Sequence, residues 1–199
     1  MSKNRLEAFS DGMFAIILTI LVLELHVPNL PNPSLAAFAS AMQALAPKLL
    51  SFLFSFFIIA IFWVNHHHVV RLIDRIDTKL IWLNILLLFF SCLFPFLTAF
   101  IGDYPLNPYV VALYPLNMAC SAIALGALWK YAFIDSNLAP GKFTPEQKRK
   151  RILQDRLMAL MNLAAAALAF VWVPITLFLI IAPPFLFIVP EFWSNSTEE

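Results

Sequence analysis

The side chains able to do chemistry fall into two short clusters. One is Arg5, Phe9, Ser10 and Asp11, a charged and hydroxyl-bearing stretch that leads into an aliphatic run from Gly12 to Leu25 broken by Thr19. The other is Asn65-His66-His67-His68. Charged groups at the mouth of an apolar helix are costly in lipid unless they face protein or water. Their presence points to a water-accessible mouth followed by a hydrophobic constriction, a pairing that fits the lining of a pore. Stacked apolar rings around such an axis can gate it by excluding water.

Helical periodicity splits the first cluster. At about 100° per residue, Gly12, Ile16, Thr19, Ile20 and Leu23 share one arc, while Phe14, Leu18, Leu21 and Leu25 share the opposite one. If copies of the helix surround an axis, Ile16, Ile20 and Leu23 form apolar rings with Thr19 between them. The same spacing also suits a helix whose small residues let it approach its neighbours in a bundle. Asp11 lies roughly 140° from Ile16 and is expected to face another helix, with Arg5 and the 66–68 cluster as its partners. It equally suits the N-terminal turn of any helix, where the macrodipole favours an acid.

The three histidines invite a metal reading, and geometry opposes it. Consecutive helical residues point about 100° apart, so adjacent imidazoles do not converge on one ion as an i, i+4 pair does. Asp74, the next carboxylate, lies six residues past His68. No metal is expected. A proton-sensitive polar cluster is the better reading, with one histidine bonded towards the first helix.

These residues must be held by elements suited to lipid. The chain is 61% hydrophobic and 13% charged, with a mean hydropathy of +0.82, far from the soluble range. A spanning helix needs about 20 mostly apolar residues, and the sequence supplies six such stretches, at approximately 5–25, 48–72, 79–101, 109–133, 152–173 and 175–189. The expected fold is therefore an all-α integral membrane protein, with residues 1–199 as a single six-helix domain. Pro47 is expected to divide a short outer helix from the second span, and Pro183-Pro184 to kink the sixth. Thr144-Pro145-Glu146-Gln147 reads as an N-cap, an N1 proline and a capping box. The first hydrophobic run lacks a cleavage pattern and is expected to remain in the mature protein. Cys92 and Cys120 lie in apolar runs and read as buried hydrophobes rather than a disulfide.

Basic residues set the orientation. With the N-terminus inside, every Lys and Arg except Lys48, out of 13, falls in the cytoplasm, as the positive-inside rule requires. Both termini are then cytoplasmic. The basic linker at 142–151 reads as this topology signal, with binding of anionic headgroups as the alternative. A net charge of +1 gives no footprint for nucleic acid. The chain lacks a TVGYG-type loop, a Walker motif, a GxSxG elbow and a pair of mid-membrane carboxylates, which argues against a carbonyl filter, an enzyme and a proton-coupled transporter. No cofactor is expected. A small non-channel transporter or a membrane interaction protein remains the alternative to a pore.

Three motifs then carry a resemblance. Arg5-x3-Phe9-Ser10-Asp11-Gly12 with its following Phe-Ala-Ile run, Phe62-Trp63-Val64-Asn65-His66-His67, and Pro95-Phe96-x-Thr98-Ala99-x2-Gly102-x-Tyr104-Pro105 together resemble the transmembrane protein 175 family. The likeness covers about residues 5–110 by motif and the remainder by topology. It implies a potassium-permeable channel, K⁺ being the permeant ion. With one repeat in the chain, it implies a prokaryotic cell-membrane protein working as a homotetramer, with first helices lining the central pore. The family's aliphatic bottleneck maps onto Ile16, with Thr19, Ile20 and Leu23 beyond it. Its conserved polar residues map onto Arg5, Phe9, Ser10 and Asp11, with His66 and His67 on the second span, and are expected to hold helices together rather than to bind the ion.

Overall fold

The computed structural model describes residues 2–30, 32–136 and 138–187, and among these every regular element is helical. α1 runs Lys3–Ile20, α2 Leu35–Leu72, α3 Thr78–Cys92, α4 Phe94–Asp103, α5 Pro108–Lys130, α6 Pro145–Leu168 and α7 Val173–Phe187. Among the described residues four runs are long and apolar enough to cross a membrane: Lys3–Glu24, Leu35–Leu72, Thr78–Asp103 and Pro108–Asp135.

Local chemistry sets most of the boundaries. The Ser34 hydroxyl accepts from the Ala37 N–H at 3.1 Å to start α2, and the Asp77 carboxylate accepts from Leu80 at 2.8 Å to start α3. Asn107 Oδ1 accepts from Tyr109 and Val110 at the head of α5. The expected capping box opens α6: Gln147 N–H donates to Thr144 Oγ1 at 3.2 Å and Thr144 N–H donates to Gln147 Oε1 at 2.8 Å. Side-chain oxygens satisfy N–H groups that have no intrahelical partner.

The prolines behave unequally. Pro47 lies inside one uninterrupted helix of 38 residues, so the expected division of α2 does not occur. A proline removes a single ladder bond, and the rest of this long helix carries the backbone past it. At 1.5 Å per residue α2 is about 57 Å long, well beyond a hydrocarbon core of about 30 Å. Pro95 does coincide with a helix boundary. It sits in the first turn of α4, and the backbone turns at Leu93 between α3 and α4. The last described helix starts at Val173, two residues before the expected boundary, and continues past Pro183 and Pro184 to Phe187; residues 188–189 of the expected sixth span lie outside the described residues.

α5 is the hub, packing against α3, α4, α6 and α7, while α2 packs on α4 and α1. Phe94 stacks between Phe62 of α2 and Tyr114 of α5, with ring centroids 5.8 and 5.5 Å apart. Beside them the Thr98 hydroxyl donates to Ser55 Oγ at 2.6 Å, and Ser55 Oγ lies 2.8 Å from the Tyr114 hydroxyl, so three buried hydroxyls satisfy one another. A Cβ at Gly102 would lie 3.1 Å from Lys48 Cγ and Ser51 Oγ, so the missing side chain lets α4 cross α2 closely. At the other end, Trp129, Phe133 and Phe143 form a ring cluster under α6.

Candidate ion-facing helix and the junction behind it

α1 has two faces with opposite fates. Leu6, Ser10, Phe14 and Ile17 are each at most 3% exposed and lie on the side of α1 that docks on α2 and α3, and Leu21, in the 3₁₀ turn that follows α1, continues this buried line. Spaced four, four, three and four residues apart, they form the apolar stripe of a packed helix.

Behind this face three helices meet in a polar junction. Asn84 of α3 donates from Nδ2 to Ser10 Oγ of α1 at 2.9 Å. Its Oδ1 therefore faces His66 of α2, 2.6 Å from the imidazole Nε2. Because that oxygen only accepts, His66 carries its proton on Nε2. The Phe14 ring lies 5.6 Å from the His66 ring. All three polar side chains are at most 1% exposed, so each bond replaces one that water no longer supplies.

Asp11 is held separately. Trp63 Nε1–H donates to Asp11 Oδ1 at 2.8 Å, and the Trp63 ring stacks on His67 at 5.7 Å. The expected partners of Asp11, Arg5 and the histidines, are thus replaced by an indole. A fixed N–H donor at this level of α2 satisfies the carboxylate directly. Among the histidines, His66 is buried, His67 exposed and His68 half-buried. Asn65 turns back to its own helix, donating to Ile61 O at 2.9 Å. No group of three metal-capable side chains gathers among the described residues. The sequence reading missed Asn84 and Trp63 as working members. Asn84 was signalled by being the one amide in the apolar run 80–90, where an unpaired polar group is costly.

The opposite face of α1 is exposed among the described residues. Ile16 is 55%, Ile20 38% and Leu23 69% exposed, and a Cβ at Gly12 would meet nothing within 4 Å. Thr19 Oγ1 lies 2.9 Å from Ile16 O and 3.0 Å from Ala15 O. Its single hydrogen is directed back along the helix, leaving the oxygen lone pairs outward, the polarity a cation requires. Beside this face, Met13, Ile16, Ile17 and Ile20 together with Cys92, Pro95 and Phe96 line an open groove of about 360 Å³. Arg5 and Phe9, expected in the polar clamp, lie instead on this exposed face. The helix period separates them from Ser10 and Asp11 by direction, although they are near in sequence.

At the end of the bundle beyond His68, the loop before α3 is tied to the turn after α5. Asp74 and Arg75 N–H groups donate to Leu138 O, and the Tyr131 hydroxyl donates to Asp77 Oδ2. Burial pushes the Asp77 carboxyl up, but hydrogen bonds from Tyr131, Leu80 and Lys79 and the Lys79 charge outweigh it and hold the group below its ordinary value.

A bundle of long apolar helices, closed by buried polar junctions yet exposing one full face of its first helix, defines a polytopic membrane protein. Residues 5–95 match the family model of the endosomal/lysosomal potassium channel TMEM175. A potassium channel of Chryseobacterium is 40% identical over 124 residues, 62% of this chain and 62% of that relative. A potassium channel of Chamaesiphon minutus is 34% identical over 90% of this chain and 91% of its own length. The crystal structure of a lysosomal potassium-selective channel TMEM175 homolog from Chamaesiphon minutus superposes with a TM-score of 0.81 at 32% identity, covering 94% of this chain and 96% of that one. The chain belongs to the TMEM175 family.

Proposed function

We propose that this chain is the subunit of a passive potassium channel in which the exposed face of α1, repeated around an axis, lines the pore. The observation that carries this reading is the division of α1 and the 3₁₀ turn after it into a buried face and an exposed one that includes Ile16, Thr19, Ile20 and Leu23. The relatives named potassium channels supply the permeant ion. The arrangement proposed is a homotetramer in the cell membrane, with six spans per subunit and both termini cytoplasmic. Topology rests on the distribution of the 13 basic residues.

Selectivity then follows from dehydration. An Ile16 ring strips water from a passing cation, and K⁺ gives up its shell at smaller cost than Na⁺. One turn further on, four Thr19 oxygens offer replacement ligands. This yields modest selectivity without a carbonyl filter. The junction of Ser10, Asn84 and His66 fixes the rotation of α1, and with it which side chains meet the ion.

The test is K⁺ flux from purified protein in liposomes with no coupled gradient. Uptake driven by the K⁺ gradient alone supports a channel. Flux that needs a second ion gradient, or none at all, overturns it.

A further inference from the structure

We infer that the outer arm of α2, residues 35–47, is a subunit contact: it stands clear of the bilayer, and an adjoining copy of this chain covers its apolar stripe. This rests on the assembly and topology proposed above. Two levels of α2 mark the membrane. At the inner end Arg71 O accepts from Lys3, and at the outer end Lys48 pairs with Asp103 of α4. Arg71 follows Lys48 by 23 residues, about 35 Å at 1.5 Å per residue, which matches a hydrocarbon core of about 30 Å with its polar margins. The outer level carries a second marker. Tyr104, next to Asp103, and Tyr109, against Phe170, are exposed there, as in the aromatic belt of a membrane–water boundary. Residues 35–47 continue the same uninterrupted helix, so they extend about 20 Å past that boundary, where no hydrocarbon is left to cover them.

The arm nevertheless has the composition of a covered element. It contains no Asp, Glu, Lys, Arg or His, and none of its residues is buried within the chain. At about 100° per residue, Leu35, Phe38, Met42 and Leu45 form one stripe at intervals of three, four and three residues, the seam spacing of packed helices. Ala36, Ser40, Gln43 and Ala44 lie on the opposite side. Large apolar side chains on one side and small or polar ones on the other mark a helix that meets protein with one face and water with the other. Leu35 is 84% and Phe38 50% exposed, and such a stripe beyond the bilayer calls for a protein partner.

Position names that partner. The 3₁₀ turn Leu21–Glu24 that follows α1 packs on α2, so each arm rises beside the outer end of the helix proposed to line the pore. Copies set around that axis bring every arm up to the next subunit at the outer mouth. The contact is heterologous, the stripe of one copy meeting a different surface of its neighbour, and it closes as a ring.

Spin labels on single cysteines in liposomes test this, F38C on the stripe and S40C opposite it, each with the native Cys92 and Cys120 replaced by serine. The label at 38 is expected to be shielded several-fold both from oxygen, which concentrates in lipid, and from a water-soluble nickel complex; the label at 40 is open to the nickel complex. In parallel, F38E loses most of the four-copy particles seen by light scattering in detergent, whereas S40E keeps them. A label at 38 open to oxygen puts lipid on the stripe, and one open to nickel leaves it in water; either overturns the proposal, as does a wild-type yield of tetramers from F38E. A wild type that purifies as single copies or passes no K⁺ overturns instead the channel assembly on which the contact rests.

Discussion

At the scale of single residues, α1 separates two kinds of work. Ile16 and Thr19 stand exposed among the described residues, the Thr19 hydroxyl bonding only within its own helix there, so substitutions there are expected to leave the fold intact and change permeation. In the proposed pore, Ile16→Asn adds ligands to the Ile16 ring and is expected to lower K⁺/Na⁺ discrimination in liposome reversal-potential measurements. Thr19→Ala removes an oxygen and is expected to lower it also. Unchanged ratios in both variants would sink the dehydration account. Asn84 is the converse case. Asn84→Leu leaves Ser10 and His66 buried without their shared partner, which costs about 1–3 kcal/mol per orphaned group. Its expected signature is a lowered unfolding temperature in detergent, whereas Leu153→Ala on the exposed face of α6 should leave that temperature nearly unchanged.

At the scale of elements, the sequence announced helices through apolar length and capping residues, and Thr144 with Gln147 began α6 where the capping box required. The prolines were not legible in the same way. Pro47 and Pro95 are the same residue in apolar surroundings, yet α2 runs through the first while α3 gives way to α4 at Leu93, two residues before the second. Beside the second, Phe94 is packed between Phe62 and Tyr114, a contact that no local pattern contains. Likewise Ser10 and Asp11 could be seen to matter, but their partners Asn84 and Trp63 lie 74 and 52 residues away. Pro47→Ala is expected to restore one ladder bond without altering topology and to raise thermal stability, by up to about 3 kcal/mol; a destabilised variant would show that α2 needs the missing N–H. The tie between Asp77 and Tyr131 gives a pH prediction. Because the Asp77 carboxyl titrates below its ordinary value in the folded protein, its contribution is present above the unfolded value near 3.8 and is lost as pH falls through the folded one. Tyr131→Phe should flatten the acid limb of a stability profile and leave neutral-pH topology unchanged.

At the scale of the whole molecule, the exposed face of α1 and the groove beside it have one further consequence. Ile16, Ile20, Cys92 and Phe96 together present apolar surface, but only the α1 face also carries Thr19, Gly12 and Arg5 in register with it. Lipid would cover the aliphatic groups and leave a guanidinium and a hydroxyl on the same stripe at a cost that rises with depth. The proposed central aqueous axis would accommodate all of them, with polar and charged members facing water and the aliphatic ones forming the narrow part. Assembly is therefore expected to depend on how α1 is rotated, and rotation depends on the bonds behind it. Asp11→Ala frees the Trp63 indole and removes one of the fixings of α1 on α2. The expected outcome is a smaller fraction of four-copy particles by light scattering in detergent, with the K⁺/Na⁺ ratio of the surviving channels unchanged. Tetramers in wild-type yield with altered selectivity would place Asp11 among the ion-facing residues and refute the two-faced reading of α1.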